Sequence, residues 1–232
     1  MAKLSSPAAD GQRLRTLDRE QWNEMFRAQK TTSSETALDP DGAYSGYVWA
    51  LDIETGGLNA DYAIILCAVF RPYPRGKPIV FRLDMSERDL LQAEGVMLKR
   101  IRKFWEDQVS LIVTWYGHKF DIPFLQARFI WHGLRPMDKK KSLDMYYTGK
   151  RGLKIHSLRL DSVNQLMRNR AVPQSPEKTR IDPQVWQEVI YGRRRKAMEY
   201  IVDHCLKDTE ILINTMDDRV LGKLIPDRIA RR

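Results

Sequence analysis

Two acidic residues stand two positions apart at the end of the apolar stretch VWALDIET, residues 48–55. Alternate residues of a β-strand share a face, so Asp52 and Glu54 would point the same way, about 7 Å apart along the strand. Carboxylates this close repel each other unless a cation lies between them, and their oxygens suit hard divalent ions such as Mg²⁺ or Mn²⁺. The pair therefore favours a metal site, and a solvated strand end is the alternative.

A third carboxylate lies in WYGHKFDIPFL, residues 115–125. Asp121 follows an apolar stretch and precedes a predicted helix that has Pro123 in its first turn. An aspartate before a helix is a common N-cap, so taken alone Asp121 favours a structural role. Phe120 and Phe124 could stack on a terminal base, although aromatic side chains at this spacing more often pack in a core.

A fourth carboxylate lies in DHCLKDTE, residues 203–210. Apolar residues recur at helical spacing around it and form a stripe of Met198, Ile201, Cys205 and Leu212. Asp208 falls inside this stripe, where a carboxylate is costly unless it is paired or bound to a metal. His204 precedes it by one turn on nearly the same face, and taken alone it is more typical of a helix surface than of a catalyst.

Apolar spacing also predicts the elements that must position these residues. Three strands joined by short turns are predicted at residues 47–55, 62–70 and 78–83, and a fourth at 110–116. The predicted helices are 86–107 with Ser86 as N-cap, 122–131, and a long one from about Arg195 to beyond Met216. Residues 133–180 are loop-rich and basic, with helical pieces near LDMYY and LRLDSVNQLM.

This order of elements predicts an α/β domain with a mixed β-sheet flanked by helices. The connections between the first three strands are too short for crossovers, so these strands should form an antiparallel meander. The fourth strand returns through a helix and can lie parallel to the first. Because both faces of the first strand are apolar, helices are expected on both sides of the sheet.

Composition indicates a soluble globular protein with a polyanionic partner. The 232 residues carry a formal net charge of +9, which favours nucleic acid as the partner over a general solubility charge. The two cysteines, Cys67 and Cys205, lie in apolar runs and resemble small buried hydrophobes more than a disulfide or a zinc site. No secretory signal and no membrane-spanning run is visible, so we expect a cytoplasmic protein without a membrane partner.

Three parts are expected along the chain. Residues 1–44 form a partly flexible arm with a short helix near LDREQWNEMFRAQ, residues 45–225 form the α/β domain, and residues 226–232 form a basic tail. The arm is a candidate docking segment for a replication or repair protein.

Taken together, the three acidic motifs resemble, in order and spacing, those of the DnaQ-like (DEDD) 3′–5′ exonuclease superfamily, which has a ribonuclease H-like fold. LDIETGGL is similar to the first motif, Asp-x-Glu, and HCLKD to the third. WYGHKFDIPFL is similar to the second motif as it occurs in the proofreading domains of family B DNA polymerases. The segment 142–166 also resembles the polymerase segment between the last two motifs, so the resemblance covers roughly residues 45–216.

The resemblance implies a site of four acidic ligands, Asp52, Glu54, Asp121 and Asp208, that bind two Mg²⁺ or Mn²⁺ ions. It implies that Asp52 is shared between the ions, that Glu54 and Asp208 bind the first, and that Asp121 supports the second. The implied reaction is metal-dependent hydrolysis of phosphodiester bonds from a 3′ end.

Two positions depart from the family pattern. The second motif usually begins with asparagine, and Tyr116 stands there. One subclass has tyrosine four positions before the last aspartate and another has histidine five before it, whereas this chain has His204 at the tyrosine spacing and Asp203 at the other. On a helix the i−4 side chain lies about 40° from the aspartate and i−5 about 140° away, so His204 replaces the tyrosine. We hypothesise that it positions or deprotonates the attacking water, because imidazole titrates near neutral pH.

Basic residues flank the predicted site and favour a phosphate backbone over a simply solvated charge run. They are Lys139, Lys140, Lys141, Lys150, Arg151, Lys154, Lys178, Arg180, Arg193, Arg194, Arg195 and Lys196. The expected substrate is a single-stranded or frayed 3′ end with little sequence specificity, DNA favoured over RNA.

The expected substrate contacts are Thr55, Gly56, Leu58, Tyr116, His118, Phe120, Phe124 and Lys178. Two alternatives remain at this point. The chain could be a catalytically silent nucleic-acid-binding module on the same fold, or a ribonuclease H-like endonuclease.

Overall fold

The computed structural model describes residues 48–180, 182–192 and 195–225. The predicted arm (1–44), with its helix, and the basic tail (226–232) lie outside the described residues. Within the described ranges no helix is both long and apolar enough to cross a membrane.

A five-stranded mixed sheet forms the centre of the domain, in the order β3-β2-β1-β4-β5. The strands are β1 (Val48–Thr55), β2 (Ile65–Pro72), β3 (Ile79–Arg82), β4 (Leu111–Thr114) and β5 (Lys141–Asp144). β1 to β3 pair antiparallel, as their short connections predict, and β4 pairs parallel with both β1 and β5. The predicted mixed sheet, a meander plus a parallel return, is confirmed.

Six helices connect and flank the strands within the described residues. They are α1 (Leu90–Gln108), α2 (Asp121–Trp131), α3 (Met145–Gly152), α4 (Leu160–Arg168), α5 (Pro183–Ile190) and α6 (Arg195–Thr215). A short 3₁₀ helix, Gly222–Leu224, follows α6.

Strand β1 is buried on both faces because its alternate residues join different cores. Trp49 and Leu51 pack in one core with residues of α1 and α2, such as Leu98 and Phe129. Val48 and Ala50 point to the opposite side and pack in a core with residues of β5 and α6, including Leu212. A third core joins β2 to α5 and α6 and contains both cysteines, which are buried and free as predicted. The sheet therefore has helices on both faces, and α6 lies across β1 and β2.

The predicted N-cap of α1 is wrong. The helix begins at Leu90, and Asp89 caps it by accepting hydrogen bonds from the backbone N–H of Leu91 and Gln92. The hydroxyl of Ser86 instead donates a hydrogen bond of 2.6 Å to Asp84, so Ser86 is part of the turn that precedes the helix.

Strand β5 was not predicted. Its sequence, KSLD, has one long apolar residue, Leu143, and its strand conformation comes from parallel pairing with β4. The helix predicted near LDMYY begins only at Met145, because Asp144 is the last strand residue and the N-cap of α3 at once.

Candidate active site

Strand β1 and helix α6 bring the first and third motifs together. Asp52 and Glu54 lie near the end of β1, and α6 crosses this strand with His204 and Asp208 directed inward, 1% and 5% exposed. The His204 Nε2 atom lies 3.5 Å from Glu54 Oε1 and 3.8 Å from Asp208 Oδ2. Imidazole and carboxylates from two elements therefore form one buried cluster.

Arg71 fixes the turn of α6 that carries Asp208. Its guanidinium donates to the carbonyl oxygen of Leu206 at 3.0 Å and to the Thr209 hydroxyl at 3.3 Å, and it pairs with Glu210 at 3.4 Å. Because Arg71 lies on β2, the neighbour of β1, these contacts hold the helix against the sheet at the level of the carboxylates. Sequence reasoning missed this residue, since an arginine at a strand end has no local signature of such a role.

Asp121 joins the cluster from α2. It is the first residue of the helix, 5% exposed, and its Oδ1 accepts a hydrogen bond of 3.1 Å from the backbone N–H of Ile53. The N-cap position belongs to Phe120, which makes no capping hydrogen bond through its side chain. The N-cap alternative for Asp121 is therefore wrong, because its carboxylate turns to β1 between Asp52 and Glu54.

Burial and mutual repulsion disfavour ionised carboxylates here. Burial raises the pKa of Asp52 well above its ordinary value, and the charges of Asp208 and Asp121 raise it further. The pKa of Glu54 is also raised well above its ordinary value, first by burial and then by the charge of Asp52. Burial raises the pKa of Asp121 to about 7, although the backbone hydrogen bond from Ile53 lowers it. The cluster thus favours binding of protons or of a cation.

Lys178 supplies a cation to the cluster. Its ammonium group donates to Asp208 Oδ2 in an ion pair whose side chains are 20% and 7% exposed. Burial lowers the pKa of Lys178, but the negative charges of Asp208, Asp52 and Glu54 raise it more, so it stays above its ordinary value. Although the carboxylates lie near one another, no three His, Cys, Asp or Glu side chains of the described residues are placed so that together they hold a metal ion as they stand. The positive charge of Lys178 instead partly neutralises the carboxylates of the cluster.

Two carboxylate oxygens of the cluster are left without a partner. Asp52 Oδ2 and Asp208 Oδ1 are buried and accept no hydrogen bond from the described residues, and His204 Nδ1 also has no partner there. Buried polar atoms are normally satisfied, so these oxygens are available to a proton, a water molecule or a cation.

The environment of His204 favours the neutral imidazole. Burial lowers its pKa below the ordinary value, while the nearby Asp208 charge acts in the opposite direction. The Trp186 and His204 rings pack edge to face, with their centroids 5.8 Å apart. The histidine is therefore a buried member of the cluster, and not the helix-surface residue that its sequence taken alone favoured.

The predicted substrate contacts after β1 lie beside the cluster with very different exposure. Thr55 is buried, and its hydroxyl donates to the carbonyl oxygen of Gly57 at 2.6 Å, which shapes the turn after the strand. A Cβ on Gly56 would lie 2.9 Å from a methyl carbon of Ile190, so a side chain at this position requires the end of the Ile190 side chain to shift. Leu58 is 82% exposed and open to a substrate.

The predicted substrate contacts around Asp121 also divide into exposed and buried side chains. Tyr116 is 45% exposed and the His118 side chain 38% exposed, so both are accessible. Phe120 is partly buried and packs against Phe124, with ring centroids 5.5 Å apart. Phe124 is 4% exposed and belongs to the core, and this burial argues against the predicted contact with substrate.

Asp144 is a further residue that sequence reasoning missed. It is 2% exposed, and its carboxylate accepts the backbone N–H of Tyr116 at 2.7 Å, of His118 at 3.1 Å and of Tyr146 at 3.1 Å. It therefore fixes the turn that leads from β4 to Asp121. Its place before a helix was a usable signal, but the parallel strand that brings it to this edge was not predicted.

Comparison with known proteins places the fold. The sequence family RNase_H_2, described as the RNase H superfamily, matches residues 50–220. Among solved structures, the family B DNA polymerase from the hyperthermophilic archaeon Pyrobaculum calidifontis is similar, with a TM-score of 0.55 and 15% sequence identity. The similarity covers 80% of this chain and 27% of that chain, so this chain spans about a quarter of the polymerase chain's length. No curated protein matches the chain.

These findings confirm the predicted ribonuclease H-like fold and the likeness to family B DNA polymerases. The family match covers well over half of the chain and includes all four carboxylates of the cluster. The chain belongs to the RNase H superfamily.

Proposed function

We propose that the chain is a metal-dependent 3′–5′ exonuclease of the DnaQ-like type that acts on single-stranded or frayed 3′ ends, with DNA favoured over RNA. Membership of the RNase H superfamily supports a nucleic-acid hydrolase. The observation that carries the finer proposal is the convergence of buried carboxylates from β1, α2 and α6, with pKa values raised by burial and repulsion.

The carboxylate cluster fits a divalent metal chemically. Its donors are carboxylate oxygens, which suit Mg²⁺ and Mn²⁺, and Asp52 and Asp208 each have a buried oxygen without a hydrogen-bond partner among the described residues. Asp52, Glu54, Asp121 and Asp208 would hold two ions, which when bound supply Lewis acidity at the attacked phosphate and acidify the attacking water. The raised pKa values mean that a cation binds in competition with protons and with the Lys178 ammonium group.

Two side chains of the cluster have tasks that follow from their positions. His204 directs Nε2 at the space between Glu54 and Asp208, where it can orient an attacking water through a hydrogen bond. Lys178 is a partly exposed donor beside Asp208 and can bind a phosphate oxygen of the substrate. Leu58, Tyr116 and His118 are the accessible candidates for contact with the terminal nucleotides.

A time course on 5′-labelled single-stranded DNA and RNA with Mn²⁺ or Mg²⁺ tests the proposal. We expect a ladder of products shortened from the 3′ end, faster on DNA, that disappears in the Asp52→Ala and Asp208→Ala variants. Asp203→Ala is the matched control on α6, because Asp203 is exposed on the opposite side and pairs with Lys207. It should degrade the substrate at the rate of the unmodified protein.

Other outcomes separate the competing functions. Binding without any cleavage would favour the silent module, and cleavage of a 3′-blocked oligonucleotide would favour the endonuclease. For His204, unchanged turnover in His204→Ala beside an inactive Asp208→Ala would exclude the role in orienting water.

The proposed docking of residues 1–44 on a replication or repair protein is tested by comparing pull-downs of the full chain with those of residues 45–232.

A further inference from the structure

The backbone of Tyr116 adopts a conformation that its side chain disfavours. Its φ is +65°, in the left-handed region, where a bulky side chain is an outlier and asparagine is several-fold enriched. The second motif of the DnaQ-like exonucleases usually has asparagine at this position. This chain therefore retains an aromatic ring at a position whose backbone favours a smaller residue, and such strain is concentrated at functional sites.

The surrounding turn enforces this conformation. Asp144 accepts the backbone N–H groups on both sides of the turn, at Tyr116 and His118. Gly117 allows no side chain, because a Cβ there would lie 2.4 Å from the Cβ of Thr114. The backbone that carries the Tyr116 ring is thus fixed, and the residue is 45% exposed.

Two further tyrosines, both partly buried, follow Tyr116 in a series of edge-to-face contacts. Tyr146 lies 4.8 Å from the Tyr116 ring, and Tyr147 lies 5.3 Å from Tyr146, as centroid distances. Tyr146 and Tyr147 lie in the first turn of α3, whose N-cap is again Asp144. The same carboxylate therefore holds the backbone of Tyr116 and of Tyr146. We call the three rings the tyrosine shelf (Tyr116, Tyr146 and Tyr147).

The tyrosine shelf lies at the same edge of the sheet as the carboxylate cluster. Strands β1, β4 and β5 are parallel, so their carboxyl ends meet at one edge, where Asp52 and Glu54 end β1 and Asp144 ends β5. β5 lies two strands from β1, about 10 Å at the usual strand spacing. That distance corresponds to about three stacked nucleotides at 3.4 Å each.

Positive charge accompanies the rings. Lys150 and Arg151 are exposed in the last turn of α3, four residues after Tyr146 and Tyr147 respectively, and so lie on the same faces of the helix. A surface that combines fixed aromatic rings with cations suits single-stranded nucleic acid, whose bases stack on the rings while the phosphates contact the cations.

We propose that the tyrosine shelf stacks the unpaired bases a few nucleotides upstream of the 3′ end, and that Lys150 and Arg151 contact the adjoining phosphates. This subsite rests on the proposed function, since it presupposes a single strand whose 3′ end lies at the carboxylates. It holds the strand by its bases without reading their identity, because every base has a stacking face.

Binding of a fluorescent single-stranded DNA oligonucleotide in EDTA tests the subsite without cleavage. We expect Tyr116→Leu to weaken affinity by about 5-fold to 100-fold, the range for loss of one stacked base, and Tyr116→Phe to retain it. Trp131→Leu is the matched control, because Trp131 is 49% exposed at the far end of α2, about 15 Å along the helix from Asp121. Its affinity should equal that of the unmodified protein.

An abasic oligonucleotide shows whether the lost contact is a base. Abasic residues in the third to fifth positions from the 3′ end should weaken binding to the unmodified protein, and they should weaken binding to Tyr116→Leu by a smaller factor, because one of the stacked contacts is already lost. In Tyr116→Asn the melting temperature should be unchanged or higher while affinity falls, since asparagine relieves the strained backbone. A purely structural ring would give the reverse, a lower melting temperature with affinity intact, and that result would overturn the subsite.

Failure of the subsite and failure of the exonuclease have different signatures. If the unmodified protein degrades DNA from the 3′ end and Tyr116→Leu binds as tightly as it does, the subsite is wrong and the nuclease stands. If binding depends on Tyr116 and on the bases but no cleavage occurs with Mn²⁺, the subsite stands and the exonuclease is wrong.

Discussion

Asp121→Asn should stabilise the protein in metal-free buffer at neutral or alkaline pH. The carboxylate is 5% exposed, and burial raises its pKa to about 7 from an ordinary value of 3.8. Asparagine has nearly the same shape and keeps an oxygen that can accept the hydrogen bond from the N–H of Ile53. The substitution therefore removes a disfavoured charge and retains the contact with β1.

The size of the effect follows from proton linkage. A pKa that is higher in the folded chain means that the folded state holds its proton more firmly, so stability is greatest below the unfolded value of 3.8 and falls as pH rises to about 7. The difference of about three pH units, at 1.36 kcal/mol per unit, amounts to about 4 kcal/mol of unfolding free energy. Asp52 and Glu54 shift in the same direction, so the unmodified protein should lose further stability over this range.

Urea unfolding in EDTA at pH 4 and pH 8 measures this difference. At pH 8 Asp121→Asn should exceed the unmodified protein by up to about 4 kcal/mol, and at pH 4 the gap should shrink to a small fraction of that. Asp203→Asn is the matched control, because Asp203 is 54% exposed beside Lys207 and should change stability by less than about 1 kcal/mol. Added Mn²⁺ should stabilise the unmodified protein more than Asp121→Asn.

One result would refute the reasoning behind this prediction. If Asp121→Asn is less stable than the unmodified protein at pH 8 in EDTA, ionised Asp121 does not destabilise the folded state, and repulsion does not strain the carboxylate cluster. Loss of nuclease activity in the same variant, beside a gain in stability, is the pattern expected when a side chain is kept for function.

Three further predictions concern the core, the cluster and the affinity for single-stranded DNA. Arg128→Met should lower the unfolding free energy by about 3–5 kcal/mol in urea unfolding, because it leaves the fully buried carboxylate of Glu94 without its guanidinium partner. Combining it with Glu94→Gln should recover part of that loss, and no recovery would contradict the ion-pair explanation. Lys178→Met should lower the unfolding free energy at pH 8 in EDTA by about 2 kcal/mol, because Asp208 loses its cationic partner. Added Mn²⁺ should narrow the difference in stability between the variant and the unmodified protein. A difference that Mn²⁺ leaves unchanged would argue against competition between lysine and metal. Affinity for single-stranded DNA should fall steeply with salt, with a slope of about −0.7 per phosphate contact, whereas a flat titration would exclude backbone contacts as the main source of affinity.

Local patterns predicted the parts of the fold that depend on neighbours in sequence. The alternation of VWALDIET placed Asp52 and Glu54 on one face of a strand, and the helical stripe around Asp208 predicted its burial. The short connections predicted the antiparallel meander. These features could be predicted because a strand and a helix repeat their side-chain directions every two and 3.6 residues.

Elements whose conformation comes from distant pairing were not predictable in this way. KSLD has no strong strand pattern, and it is a strand because β4 supplies its hydrogen-bonding partner. The boundary of α1 was misplaced because Ser86 and Asp89 are both good caps, and contacts of Ser86 with Asp84 decided between them. Phe124 had both an exposed and a buried interpretation, and packing of α2 on the sheet buried it.

The sequence by itself determined the residue types of the candidate site, the faces on which they lie, and the order of strands and helices that carries them. Only the tertiary structure decided that Asp121 turns to the backbone of Ile53, that Lys178 pairs with Asp208, and that Asp144 fixes the strained turn at Tyr116. These contacts join residues 68, 30 and 28 positions apart. No local periodicity encodes such distances, because they depend on how the parallel strands and α6 pack into one domain.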